Sequence, residues 1–244
     1  MVNRTLLFGE GLFETLRWRP SEEKLRLHYE RLRSSAEFFH IPCPDYEEFK
    51  RDLETATKGE EDLYVKYLLI SKGGDYITDR PTGSEKLIIT KGIGHIPNRV
   101  RLTLSPYRRH SLDPVCRHKS TSYLFSLLVK RHAKEMGFWD GLIVNEKGHI
   151  CESSTANLLF IKGSHLYTPA KECGLLWGTT LEFIRRRFPI REEYIPLEKM
   201  EAFEGMFVLN SLILCAVVEE VNGKTMRVDL SAFEELRSIL RACL

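Results

Sequence analysis

Residues 117–123 read Arg117-His118-Lys119-Ser120-Thr121-Ser122-Tyr123. Glu152 follows the lysine by 33 residues, within His149-Ile150-Cys151-Glu152-Ser153-Ser154-Thr155-Ala156-Asn157-Leu158-Leu159-Phe160. An amine acts as nucleophile or base once it has lost its proton, and a carboxylate can hold a proton on a partner heteroatom. A single lysine is ordinarily a solvated surface charge. Here a helical pattern, Tyr123 to Met136 stopped by Gly137, follows the lysine, and a strand pattern, Asn157–Ile161, follows the carboxylate.

Upstream, Leu12–Trp18 reads as a strand with Phe13, Thr15 and Arg17 on one face. Ser21 caps a helix through Ala36 whose Leu25, His28, Leu32 and Ala36 share a stripe. Asp45 and Glu48 form a capping-box pattern ahead of the helical face Tyr46, Phe49, Leu53 and Ala56. Leu63–Ser71 is a strand ended by Lys72-Gly73-Gly74-Asp75, and short strands fit Lys86–Thr90 and Val100–Leu104. Ser105–Pro114, polar and bounded by prolines, reads as an interdomain connection. Downstream, strands fit Gly141–Val144, Ile190–Ile195, Met206–Asn210 and Val217–Val221, with turns at 146–148 and 162–164 and helices near Thr180–Arg187 and Ser231–Ala242. The expected division is a domain over 1–104, a loop over 105–115 and a domain over 116–244, with no internal repeat.

Four more segments carry chemistry. Arg31 lies in His28-Tyr29-Glu30-Arg31-Leu32, and a guanidinium suits a phosphate because it stays charged and donates two parallel hydrogen bonds. Gly174-Leu175-Leu176-Trp177-Gly178-Thr179-Thr180 is a glycine turn opening a helix, which presents unpaired amides to an anion, although a plain capped helix start fits equally. Glu204–Leu212 brings a strand to Asn210-Ser211-Leu212, and Phe8-Gly9-Glu10-Gly11-Leu12-Phe13-Glu14-Thr15 precedes the first strand's end.

In this order the segments resemble the signature of the class IV aminotransferase-like, fold type IV enzymes, over nearly the whole chain from Asn3 to about Val221. The resemblance implies an α+β architecture with a small α/β N-terminal domain and a larger β-barrel-like C-terminal domain with helices. It implies pyridoxal 5'-phosphate carried as a Schiff base on Lys119, with Glu152 keeping the pyridine nitrogen protonated so that the ring is an electron sink. Arg31, the Thr179 amide, the Thr180 hydroxyl and Ser211 would hold the phosphate. Tyr123 would either touch the cofactor's phenolic oxygen or serve helix packing. Leu181 stands where the family usually has an arginine. The match to the family's Gly-Asp-Gly-x-Phe-Glu segment starts only seven residues in, where relatives carry a further strand or hairpin, so the amino terminus is expected to be trimmed.

Asn210-Ser211-Leu212 is similar to the Asn-Ser-Leu of aminodeoxychorismate lyases, where branched-chain aminotransferases tend to have Gly-Thr-Ala; Ala216-Val217 replaces the lyases' frequent Pro-Val. A lyase would form 4-aminobenzoate and pyruvate for folate synthesis, with Lys119 as base and Thr15 either as proton donor or as an ordinary strand threonine. The alternative is an aminotransferase using the same Lys119, Glu152 and Arg31. Two substrate carboxylates could be held by Lys72, Arg80, Arg99, Arg108 or Arg109; Lys72, Arg108 and Arg109 are placed at the expected mouth formed by Lys72–Pro81 and Ser105–Pro114. The family implies a homodimer.

Composition narrows the remaining classes. With 43% hydrophobic and 29% charged residues and a formal net charge of +2, the chain reads as globular and offers no case for a nucleic-acid or membrane partner. No apolar run approaches the roughly 20 residues of a membrane helix, and the start lacks the apolar core of a signal peptide. Six cysteines, Cys43, Cys116, Cys151, Cys173, Cys215 and Cys243, show no Cys-x-x-Cys pair and read as reduced thiols in a cytoplasm, and the eight histidines show no metal spacing.

Overall fold

The computed structural model describes residues 3–18, 20–227 and 230–241, in two compact units. The first comprises residues 3–95 together with 118–123. It opens with helix α1 (Arg4–Phe8), followed by strand β1 (Gly11–Trp18), helices α2 (Glu22–Phe39) and α3 (Tyr46–Thr57), and strands β2 (Leu63–Lys72) and β3 (Gly83–Gly92). The three strands form an antiparallel sheet in the order β1-β2-β3. Ser21 caps α2, its hydroxyl accepting from Lys24 N at 3.3 Å, and Asp45 caps α3, accepting from Glu48 N at 2.8 Å. Glu48 does not close the expected capping box in return; its carboxylate takes Lys86 at 2.6 Å. Leu12 and Leu16 of β1 pack with Leu25, Leu32, Phe49, Leu53, Val65 and Tyr67 in a core between sheet and helices. Strand alternation therefore leaves Phe13 and Thr15 on the opposite face.

The second unit comprises residues 96–117 and 124–241. Its elements are β4 (Arg99–Leu104), α4 (Leu124–Glu135), β5 (Asp140–Val144), β6 (Ile150–Ser153), β7 (Asn157–Lys162), β8 (His165–Pro169), α5 (Thr179–Arg185), β9 (Ile190–Glu193), β10 (Gly205–Asn210), β11 (Leu214–Val221), β12 (Lys224–Thr225) and α6 (Leu230–Arg241). The nine strands make one mixed sheet, β6-β5-β4-β11-β10-β7-β8-β9, with β12 added on β11. Pairs β4–β5, β4–β11 and β8–β9 are parallel. Leu102, Leu142, Leu158, Phe160, Met206, Val208 and Val218 share one core.

Two boundaries differ from the sequence reading. β4, expected with the first domain, is hydrogen-bonded on both edges to strands of the second unit, β5 and β11. Residues 118–123, expected with the second domain, return to the first unit, because their backbone pairs with β1: Phe13 N donates to Lys119 O at 2.9 Å and Thr121 N to Gly11 O at 2.8 Å. The last helix ends its described part at Arg241; Ala242 and Cys243 lie outside the described residues.

Candidate active site

In the first unit, the pairing of 118–123 with β1 fixes Lys119. Its Nζ lies 4.5 Å from the centroid of the Phe13 ring and 5.9 Å from that of Tyr123, and the two rings meet edge-on at 5.3 Å. Lys119, Phe13 and Tyr123 are thus brought together, on the β1 face that also carries the half-buried Thr15.

Arg31 projects from α2 into a buried constellation that the sequence reading leaves unassigned. Its Nε donates to Glu14 Oε1 at 2.8 Å and its Nη2 to Glu14 Oε2 at 2.6 Å, a two-point fork. His28 Nδ1 stands 2.6 Å from the same Oε2. Burial alone would push the Glu14 carboxyl up, but the Arg31 guanidinium, with the hydrogen bonds from Arg31 and His28, holds it down at about 2. Burial pushes the His28 imidazole down to about 4, against the pull of Glu14, so at neutral pH it is uncharged and donates its Nδ1 hydrogen to the carboxylate. Glu14 is fully enclosed, whereas the Arg31 side chain keeps 14% of its surface exposed. Sequence periodicity held the signal: Glu14 falls on the inward face with Leu12 and Leu16, and His28 on the apolar stripe with Leu25 and Leu32.

The second unit holds the other expected groups. Glu152, on β6, is buried, and Arg109 Nη1 lies 3.1 Å from its Oε1. Asn157 Nδ2 donates to Glu152 Oε2 at 3.4 Å and to Leu176 O at 2.7 Å, while Leu176 N donates to the same Oε2 at 3.3 Å. Asn157 thereby ties the carboxylate to the turn that leads into α5. A Cβ on Gly178 would overlap the Asn157 amide oxygen, so this close approach requires glycine; Gly174, at φ +87°, supplies the left-handed bend before it.

At the start of α5 no side chain caps the helix at Gly178. Thr179 Oγ1 and Ser211 Oγ lie 3.0 Å apart, so two of the residues expected at the phosphate meet through their hydroxyls, although the donor expected of Thr179 is its amide; the buried Thr180 is next in the chain. Asn210 sets that turn: its Oδ1 accepts from Leu212 N and Ile213 N, each at 2.9 Å, and its Nδ2 donates to Thr155 O at 3.1 Å. Asp140, fully buried, accepts from the hydroxyls of Ser153 at 3.1 Å and Thr155 at 2.8 Å and pairs with Ser154, which anchors the loop after Glu152. Leu181, at the family's arginine position, is fully buried.

The three expected substrate cations have different surroundings. Lys72 pairs with Glu85 in the first unit, and Arg108 is exposed, donating to Asn145 O at 3.2 Å. Arg109 is not a solvent-facing clamp: it is buried, its guanidinium 4.8 Å from the Phe125 ring centroid and committed to Glu152. Alternation along an extended segment turns neighbouring side chains to opposite sides, which is why only one of the adjacent arginines faces outward.

The model of the amino-transferase class IV family matches residues 11–221. A solved structure from Legionella pneumophila, provisionally named a 4-amino-4-deoxychorismate lyase, superposes with a TM-score of 0.90 at 26% identity, covering 99% of this chain and 94% of that one. A Rickettsia felis protein provisionally named a branched-chain-amino-acid aminotransferase is 28% identical over 91% of this chain and 81% of its own length. The aminodeoxychorismate lyase of Vibrio harveyi is 22% identical over 93% and 89%. The chain belongs to the class IV aminotransferase family and has its two-domain fold type IV architecture. It is therefore an enzyme dependent on pyridoxal phosphate. The residues present fit that group: one unit joins a buried carboxylate, an acceptor for a protonated pyridine nitrogen, to a pair of hydroxyls at an uncapped helix start, which can donate to a phosphate. Among the described residues, no helix is long and apolar enough to cross a membrane.

Proposed function

We propose that the chain is a 4-amino-4-deoxychorismate lyase, releasing pyruvate to leave 4-aminobenzoate for folate synthesis. The observation that carries this reading is the Asn210-Ser211-Leu212 turn, in which Asn210 ties three backbone groups and sets Ser211 against Thr179. Arg31, Thr179, Thr180 and Ser211 hold the cofactor phosphate, Glu152 faces the ring nitrogen and Tyr123 the phenolic oxygen. When bound, pyridoxal phosphate supplies an electron sink. Lys119 Nζ takes the proton from the amine-bearing ring carbon. The carbon–oxygen bond to the enolpyruvyl group then breaks as the ring becomes aromatic, and the Thr15 hydroxyl relays to the departing enolate the proton that Lys119 took up. Lys72 and Arg108 bind the substrate carboxylates, whereas Arg109 is buried beside Glu152. The active assembly is a cytoplasmic homodimer.

The greater identity to the Rickettsia felis protein favours the competing reading, an aminotransferase. Product analysis separates the two. The lyase reading expects 4-aminobenzoate and pyruvate in equal amounts from aminodeoxychorismate with no 2-oxo acid added. Amino-group exchange that requires a 2-oxo acid, without 4-aminobenzoate, would establish the aminotransferase instead.

A further inference from the structure

Arg109 and Glu152 form a buried ion pair whose backbones are set by a single strand. Arg109 is pinned at the end of β5: its amide donates to Val144 O at 3.0 Å, its carbonyl accepts from Glu146 N at 3.1 Å, and it bridges in parallel to Asn145. Glu152 pairs across the other edge with Ile143 of the same strand. Phe125 of α4 lies against the guanidinium. The thiols facing Arg109, Cys116 and Cys151, are pushed up by burial and stay neutral, so the counter-charge comes from Glu152. Around Glu152, the Asn157 amide and the Leu176 N–H are neutral donors to Oε2, and Arg109 places a cation at Oε1.

We propose that Arg109 is the positioning residue of Glu152, a fixed positive charge that keeps the carboxylate ionised and weakly basic so that the proton it shares with the cofactor's ring nitrogen stays on nitrogen. This rests on the reading of Glu152 as the ring-nitrogen partner. A cation closer to the carboxylate than to the nitrogen beyond it favours the negative charge on oxygen more than it opposes the positive charge on nitrogen. Removing that charge raises the affinity of the buried carboxylate for the proton. Arginine suits the role because it keeps its charge at any working pH.

The test loads the enzyme with ring-15N pyridoxal phosphate and reads the nitrogen chemical shift at pH 8. The wild type is expected to give a protonated ring, R109Q an unprotonated one, and R109K, which keeps a charge, the wild-type signal. A protonated ring in folded, loaded R109Q overturns the inference, as does a loss of the proton in R109K equal to that in R109Q. Should R109Q not fold, the titration of Glu152 in the cofactor-free full chain, taken as the 13C carboxyl difference from E152Q, decides the matter. Ionisation below the ordinary carboxylate range is expected, and ionisation above it overturns the inference. A protonated ring in E152Q sinks the assignment of Glu152 itself; a protonated ring in R109Q beside an unprotonated one in E152Q sinks the Arg109 step alone.

Discussion

Each unit buries an arginine–carboxylate pair among its own candidate residues, and the two pairs are built in opposite senses. In the first, Glu14 is wholly enclosed and grips two nitrogens of Arg31, whose side chain still reaches the surface of its unit. In the second, both partners are nine-tenths buried, the arginine meets one carboxylate oxygen, and the other oxygen is hydrogen-bonded to the turn leading into α5. Taking charges out of water costs several kcal/mol per ion, and breaking such a pair by removing one partner typically costs about 3–5 kcal/mol. Apolar residues would stabilise either core more cheaply, so both pairs ask for a functional reason. In the roles proposed above, the carboxylate of the first pair supports the arginine and the arginine of the second supports the carboxylate.

Substituting the working member of each pair should therefore produce different defects. Glu152→Gln is expected to retain cofactor but to slow turnover by roughly two to four orders of magnitude, the range in which a well-placed proton partner contributes. Measured kcat at saturating cofactor checks it, and normal turnover would break the comparison at its second member. Arg31→Ala should do the reverse, weakening cofactor affinity about ten- to a hundredfold, as the loss of a charge-assisted contact worth about 1.5–3 kcal/mol requires, with little change in the kcat of loaded enzyme. Equilibrium titration with pyridoxal phosphate reads this directly; an unchanged dissociation constant would return Arg31 to a purely structural place.

A smaller effect concerns acid stability. The folded values of His28 and Glu14, about 4 and about 2, lie below their ordinary values of 6.5 and 4.5. For both groups the unfolded chain binds more protons than the native one across those windows, so stability must fall as pH drops. The loss begins below about 6.5 through His28 and continues from about 4.5 towards 2 through Glu14. Denaturant midpoints taken from pH 7 to pH 4 should decline in the wild type and decline less steeply in His28→Gln. Equal slopes in the two proteins would mean that His28 is not held neutral in the fold.

Much of this organisation is legible in the sequence because it is local. Helix caps at Ser21 and Asp45, the alternation of β1 and the glycine turn before α5 depend on residues a few positions apart, and the structure places them where spacing predicts. The short strands β6 and β8 escape such a reading: each has only four or five residues and acquires its identity from a neighbour. The allegiance of β4 and of residues 118–123 likewise depends on hydrogen-bond partners far away in sequence. Arg109 shows the same limit at the level of one side chain. In a polar, proline-bounded segment both adjacent arginines look solvated, and only the pairing of that segment with the end of β5 decides which one turns inward. Asn157 is visible as part of a motif, but its role requires the turn at Leu176 to come beside it.

The central claim, that the segment paired with β1 carries the cofactor on Lys119, is tested most directly by reductive trapping. Purified enzyme should be yellow, and borohydride should bleach it while fixing one phosphopyridoxyl group to the peptide that contains Lys119, with Lys119→Ala giving no such peptide and no turnover. Label recovered on another lysine, or a Lys119→Ala protein with wild-type turnover, would contradict that claim.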